Sequence, residues 1–249
     1  MATPAQYRLG VECSDLRLEV RLNGLPVFSQ AGGMRNRNAL INHWIVDGRN
    51  TVSVLVAAPE GDAPADASPR AQIIITIDGA PAYTFNREPG ASAKPLPLAA
   101  AGEFQSGASF GEWSWQRADT VGLNRATITE INAYLQRAFE VLNAADLGQT
   151  RALFRVKAEE HAVAFGIPTA RHLQNQDDFF RDLFAQPNWA MEPINFERLE
   201  YTLYLGGRVL GVRYKDGSDV LRSKPFGDGE VFRIPLLLSK LNGQWTVVR

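Results

Sequence analysis

Hydrophobic and polar residues alternate along the first half of the chain, and near residue 120 the hydrophobic spacing becomes helical. Residues 16–22 place leucine or valine at every second position, which predicts a strand with one buried face. Asn23-Gly24 follows and predicts a hairpin turn, because both residues tolerate a positive φ. Alternation over residues 52–56 and a run over 73–77 that is apolar except for Thr76 predict two more strands.

Turn-rich segments separate these strands. Residues 59–70 and 87–107 are rich in Pro, Ala, Gly and Ser, and they predict loops because they bury little apolar surface. Residues 41–52, with Gly-x-Asn ahead of a strand, resemble a segment of β-sandwich domains attached to glycoside hydrolases. We therefore predict an all-β sandwich with these loops over residues 1–118, and we infer no sugar binding from the resemblance.

Three amphipathic helices are predicted over residues 119–249. Thr127-x-x-Glu130 is a capping box ahead of the first helix, and Asp146 and Asn175 give similar start signals for the second and third. The apolar face of the first helix consists of Ile131, Leu135, Ala138 and Leu142. Apolar runs joined by glycine turns follow the helices, which predicts an antiparallel sheet and an α+β domain.

This second half resembles the ketosteroid-isomerase and NTF2-like family of cone-shaped domains. Residues 138–147 are similar to the family's Asn-x-x-Asp-Leu segment, and residues 241–248 are similar to its closing Gly-x-Trp hairpin. In ketosteroid isomerases a tyrosine on the first helix and a carboxylate after the second helix carry the proton transfer. By the resemblance these positions fall at Ala138 and near Val163 or Ala164, and none of these side chains transfers a proton.

Three histidines and several aspartates are the remaining candidates for chemistry. His161 lies on the apolar face of the second helix, so it is either a general base or a hydrogen-bonded core residue, and we favour the core residue. His172, Asp177 and Asp178 are either a metal-ligand set or an exposed loop and helix start, and we favour the latter. We therefore predict no catalytic residue, no metal and no cofactor.

Composition narrows the partners and the compartment. The chain has 249 residues, with 26 basic and 27 acidic residues and a net charge of −1, which does not favour nucleic acid as a partner. Cys13 is the single cysteine, so an intramolecular disulfide is impossible. No segment approaches the ~20 apolar residues of a membrane span, so we predict no membrane insertion. The cytoplasm is the default compartment, with the periplasm open if an export signal has been replaced by Met1.

Two functions stay open at this point. The first is a non-enzymatic protein that binds another protein, as bacterial toxin-immunity proteins with such folds do by neutralising a partner. The second is a small-molecule enzyme, or a binding protein for a small apolar ligand, that uses the interior of the cone. Aromatic pairs serve either as ligand platforms or as packing residues. The candidate binding residues are Trp113, Trp115, Tyr134, His161, Phe165, Tyr201 and Tyr204.

Overall fold

A computed structural model describes residues 4–59, 68–88 and 95–249 of the protein. The chain divides into two compact units. The first runs to Gly111 and includes Ala164–Gly166, and the second consists of Glu112–Val163 and Ile167–Arg249. Whether each unit folds alone, as a division between residues 118 and 119 implies, stays a prediction.

The first unit is built from antiparallel strands. Its described strands are Tyr7–Ser14 (β1), Arg17–Leu22 (β2), Leu25–Gln30 (β3), Arg35–Leu40 (β4), Gly48–Ala57 (β5), Arg70–Ile77 (β6), Ala80–Arg87 (β7) and Leu98–Ser106 (β8). They form two sheets, with strand orders β4-β1-β6-β7 and β3-β2-β5-β8. Alternate residues of both sheets contribute to one apolar core, which includes Leu9, Val11, Leu18, Val20, Val52, Val54, Ile73 and Ile75. The alternation over residues 16–22 is therefore confirmed as the pattern of a strand with one buried face.

Two predictions for this region are corrected by the structure. Residues 98–106 do not belong to a loop, because β8 pairs with β5 from Gly48↔Ser106 to Val56↔Leu98. Small residues such as alanine suffice here because the pairing partner supplies the main-chain hydrogen bonds and much of the apolar face. Arg70 and Arg87, at the ends of the predicted loops, belong to β6 and β7, and residues 60–67 and 89–94 lie outside the described residues.

The described part of the second unit combines three helices with short strands. The helices are Arg125–Asn143 (α1), Leu147–Ala164 (α2) and Thr169–Phe184 (α3). The strands are Leu199–Tyr204 (β9), Val209–Tyr214 (β10), Leu221–Arg222 (β11), Arg233–Ile234 (β12), Leu236–Leu241 (β13) and Gln244–Val247 (β14). Four strands form a sheet in the order β14-β13-β10-β9, and β11 pairs with β12. The chain is thus a mixed α+β protein, and no described helix is both long and apolar enough to cross a bilayer.

The helix starts differ in part from those predicted. Asn124, not Thr127, caps α1, since its Oδ1 accepts from the Thr127 amide at 3.0 Å. Asp146 is confirmed as the capping side chain of α2, because its Oδ1 accepts from the Gln149 amide at 2.9 Å. The predicted start of α3 at Asn175 is wrong, because that helix begins at Thr169 directly after Pro168, whose fixed φ is compatible with a helix start.

Candidate functional site

The predicted binding residues of the second unit lie in different surroundings. Tyr134 lies on α1, and Tyr201 on β9 donates its hydroxyl hydrogen to Oδ1 of Asn132. Tyr204 is buried against Gly211, where a Cβ atom would approach the tyrosine ring to 2.8 Å. His161 on α2 stacks on His172, with 5.8 Å between the ring centroids. Tyr134 and Tyr201 both pack against the apolar core of the second unit, whereas His161 lies among the basic groups Lys157 and Arg249.

The predicted aromatic pair, Trp113 and Trp115, is packed in the protein interior. Trp113 and Trp115 are both buried, and residues Ser114–Arg117 form a 3-10 helix instead of a strand. The guanidinium carbon of Arg249 lies 5.2 Å from the Trp113 ring centroid, a cation–π distance. Phe165, which was also a predicted binding residue, belongs to the first unit, where its ring centroid lies 5.8 Å from that of His43.

Asp177 and Asp178, the two aspartates of the candidate metal-ligand set, make ion pairs. Asp177 is buried and pairs with Arg151, while Asp178 pairs with Arg181 on the same helix. Within the described residues no group of three or more His, Cys, Asp or Glu side chains is placed to hold a metal ion.

A cluster of basic side chains lies beside Trp113. Arg249 is buried and donates to Glu160 of α2, whose other carboxylate oxygen accepts from the Ser114 amide. Burial lowers the pKa of His161 to about 3, and the charges of Lys157 and Arg249 contribute to the shift. Burial and the Arg249 charge lower the pKa of Lys157 to about 8. Because this cluster combines one carboxylate, Glu160, with several basic groups, it favours the neutral form of His161. Through Glu160 it also links Ser114, near the start of the second unit, to the last residue, Arg249.

A groove with a volume of about 420 Å³ is lined by residues of α1, α2 and β14, the edge strand of its sheet. We call it the edge groove. It is lined by Tyr134, Arg137 and Val141 from α1, by Gln149, Ala152 and Leu153 from α2, and by Gln244, Trp245 and Thr246 from β14. The volume is within the ~300–1,000 Å³ of ligand pockets, but several lining side chains are exposed, so the groove is shallow.

The α1 side of the edge groove follows from helical geometry. Glu130, Tyr134, Arg137 and Val141 are separated by four, three and four residues, so they lie along one stripe of the helix. This stripe lies one residue before the core stripe of Ile131, Leu135, Ala138 and Leu142. Because it combines charged, aromatic and aliphatic residues, hydrophobic periodicity alone does not reveal it. Its one sequence signal was the set of long side chains at these helical intervals.

Hydrogen bonds hold Trp245 in place at the edge groove. Its indole Nε1 donates to Oε2 of Glu130 at 3.1 Å, and Lys240 Nζ donates to the same oxygen at 2.7 Å. These two donors are the main causes that lower the pKa of the Glu130 carboxyl. The Trp245 ring is therefore positioned before any partner arrives, which reduces the entropy cost of binding.

The main chain of β14 is available on the side facing the groove. Asn242-Gly243 is a two-residue turn, so Leu241 and Gln244 form the hydrogen-bonded closing pair of the hairpin. Pairs alternate along an antiparallel ladder, so Trp245 and Val247 direct their N–H and C=O groups away from β13. Burial raises the pKa of the Tyr134 phenol to about 12, and the Val247 main chain partly offsets this rise. The Val247 main chain therefore faces the phenol, which agrees with its direction away from β13. Among the described strands β14 has no second neighbour.

The groove contains hydrogen-bonding and aromatic groups with few groups for proton transfer. None of its nine described lining residues is Asp, Glu, His or Cys. Arg137 is its one charged lining residue, and within the described part of the chain no carboxylate forms an ion pair with it. An arginine, two amides and a fixed tryptophan suit recognition of a polar or anionic group.

Comparison of the chain with family models, with curated proteins and with solved structures yields no match.

Proposed function

We propose that the chain is a non-enzymatic binding protein that recognises another protein through the edge groove of its second unit. The observation that carries this proposal is the groove itself, where Trp245 is held in position. Among the described residues Arg137 has no carboxylate partner there, and β14 has a free edge. Aromatic and arginine side chains are the residues that most often dominate protein–protein binding energy.

The finer fold assignment is part of the same proposal. We take the first unit as a β-sandwich, because its two sheets share one core, and the second as an NTF2-like domain with three helices before its sheet. A protein that neutralises a partner, such as an immunity-like protein, needs only a binding surface and no catalytic group. The edge groove meets that requirement.

The alternative, a small-molecule site inside the cone, has weaker support. Apolar side chains from α1 and the sheet, including Leu135, Leu142, Leu210 and Leu238, fill the space where such a ligand would bind. Two of the residues expected to line that site have other contacts, since the Tyr201 hydroxyl donates to Asn132 and the Phe165 ring lies beside that of His43.

A matched pair of variants tests the proposal. Ala152 lies in the edge groove and Ala133 lies outside it on α1, and both are exposed helical alanines. Ala152→Glu fills part of the groove and adds a negative charge beside Arg137, whereas Ala133→Glu adds the same side chain elsewhere, and both keep good helix formers.

Full-length wild type and both variants serve as bait for proteins from the source cells. We expect wild type and Ala133→Glu to retain the same protein at near-stoichiometric yield, and Ala152→Glu to lose it. Equal capture by all three baits, or capture of nothing by wild type, would overturn the proposal.

A further inference from the structure

We infer that the edge groove accepts an extended, acidic segment of the partner, which adds to β14 as a further strand and places a carboxylate on Arg137. This inference rests on the proposed function and specifies the partner segment that the groove recognises. The argument combines the free main chain of β14, the charge of the groove and its depth.

The main chain of β14 supplies the pairing groups. Trp245 directs its N–H and C=O away from β13, into the groove, where an incoming strand forms two hydrogen bonds with one residue. Val247, the next residue with this direction, is buried, and its main chain faces the Tyr134 phenol. Strand addition therefore centres on Trp245, and it uses main-chain bonds for affinity and side-chain contacts for specificity.

Charge complementarity selects an acidic segment. Arg137 is an exposed guanidinium on the groove side of α1, and no described carboxylate pairs with it. Glu130, the nearest carboxylate along the stripe, is already engaged by Lys240 and Trp245. A carboxylate of the added strand would receive charge-assisted hydrogen bonds from Arg137.

The depth of the groove favours a peptide over a small carboxylate. Ligand pockets bury ~70–90% of a small ligand's surface, whereas Arg137, Gln149, Ala152 and Gln244 are all exposed. A shallow groove beside a strand edge instead suits a chain that continues beyond it in both directions.

The test uses a displayed library of random peptides selected on the full-length protein and counter-selected on Ala152→Glu. The tightest peptide is synthesised and its affinity is measured with wild type, Arg137→Gln, Arg137→Glu and Arg171→Gln. Arg171 is an exposed arginine of α3 that does not line the groove, so its variant is the matched control.

We expect an Asp or Glu in every selected peptide, about tenfold weaker binding to Arg137→Gln, and unchanged binding to Arg171→Gln. Replacing the peptide carboxylate by lysine should restore binding to Arg137→Glu. N-methylation of the peptide residue opposite Trp245 should abolish binding, while N-methylation of the next residue should not.

Selected peptides without an acidic residue, equal affinity for Arg137→Gln, or tolerance of N-methylation at every position would each overturn the inference. Competition by succinate as strong as by the peptide would also overturn it, in favour of a small carboxylate. If peptides fail while Ala152→Glu still abolishes capture of a protein, the inference is wrong and the proposed function stands. If neither peptide nor protein depends on the groove, both are wrong.

Discussion

Trp245 and Glu130 lie on different elements of the second unit, and the indole Nε1 of Trp245 donates to the Glu130 carboxylate at 3.1 Å. This bond joins the edge strand β14 to α1 and sets the orientation of the aromatic ring in the edge groove. Glu130→Ala removes it without changing the apolar core. We expect faster hydrogen exchange of the Trp245 indole N–H, measured by NMR, with Glu200→Ala, an exposed carboxylate on β9, as the control.

The same bond gives a pH dependence. Lys240 and Trp245 lower the pKa of the Glu130 carboxyl, so the carboxylate persists below the ordinary range of a glutamate. The stabilisation by this carboxylate is present above the unfolded pKa and is lost as the pH falls through the lower folded pKa. The Trp245 indole resonance should therefore titrate with an apparent pKa below 4.5, the ordinary value of a glutamate carboxyl. Titration at or above that value would contradict the assignment.

Asn50 of the first unit makes a network of buried hydrogen bonds. Its Oδ1 accepts from the Val46 amide at 2.9 Å and from Asn23 Nδ2 at 2.8 Å, while its own Nδ2 donates to the carbonyl of Gly48 at 3.0 Å. Asn50→Ala leaves these buried groups unsatisfied, so the free energy of unfolding should fall by about 2 kcal/mol or more. Denaturant unfolding measures this, and a change no larger than that of the exposed Asn86→Ala would disprove it.

His161 should make the protein sensitive to acid. The unfolded imidazole takes up a proton near pH 6.5 and the folded one only near pH 3, chiefly because of burial. Between these values the unfolded chain binds the extra proton, so stability falls as the pH falls, by about 3 kcal/mol at about pH 4. His161→Gln cannot take up this proton and should reduce the loss in denaturant unfolding across that window. An unchanged pH profile for this variant would show that other groups cause the acid sensitivity.

Trp113 should be essential to the second unit when that unit is isolated. The ring packs on Arg249, and the neighbouring Ser114 amide donates to Glu160, so a fragment of residues 119–249 lacks both contacts. Loss of a buried tryptophan costs about 3–5 kcal/mol. We expect a fragment of residues 112–249 to unfold cooperatively and a fragment of residues 119–249 to be less stable by this order. Calorimetry of the two fragments measures this difference. Equal stabilities would contradict it and would place the domain boundary between residues 118 and 119.

Much of the fold was predictable because its signals are local. Asn23 and Gly24 both have positive φ angles between β2 and β3, and the turn needs only these two residues. Asp146 caps α2 through a bond to a residue three positions away. The strand at residues 98–106 was missed because its alanines and glycine have little strand propensity, and its pairing with β5 comes from a partner about fifty residues away in the chain.

The sequence by itself determined the turns, the α2 cap and the helical and alternating hydrophobic stripes, because each depends on residues that lie close together in the chain. Only the tertiary structure decided the site. Trp245 and Glu130 are separated by 115 positions, and Arg249 and Glu160 by 89, so no local pattern records either contact. The edge groove exists because β14 lies at the end of its sheet, and strand order is set by packing of the whole unit instead of by the residues of β14.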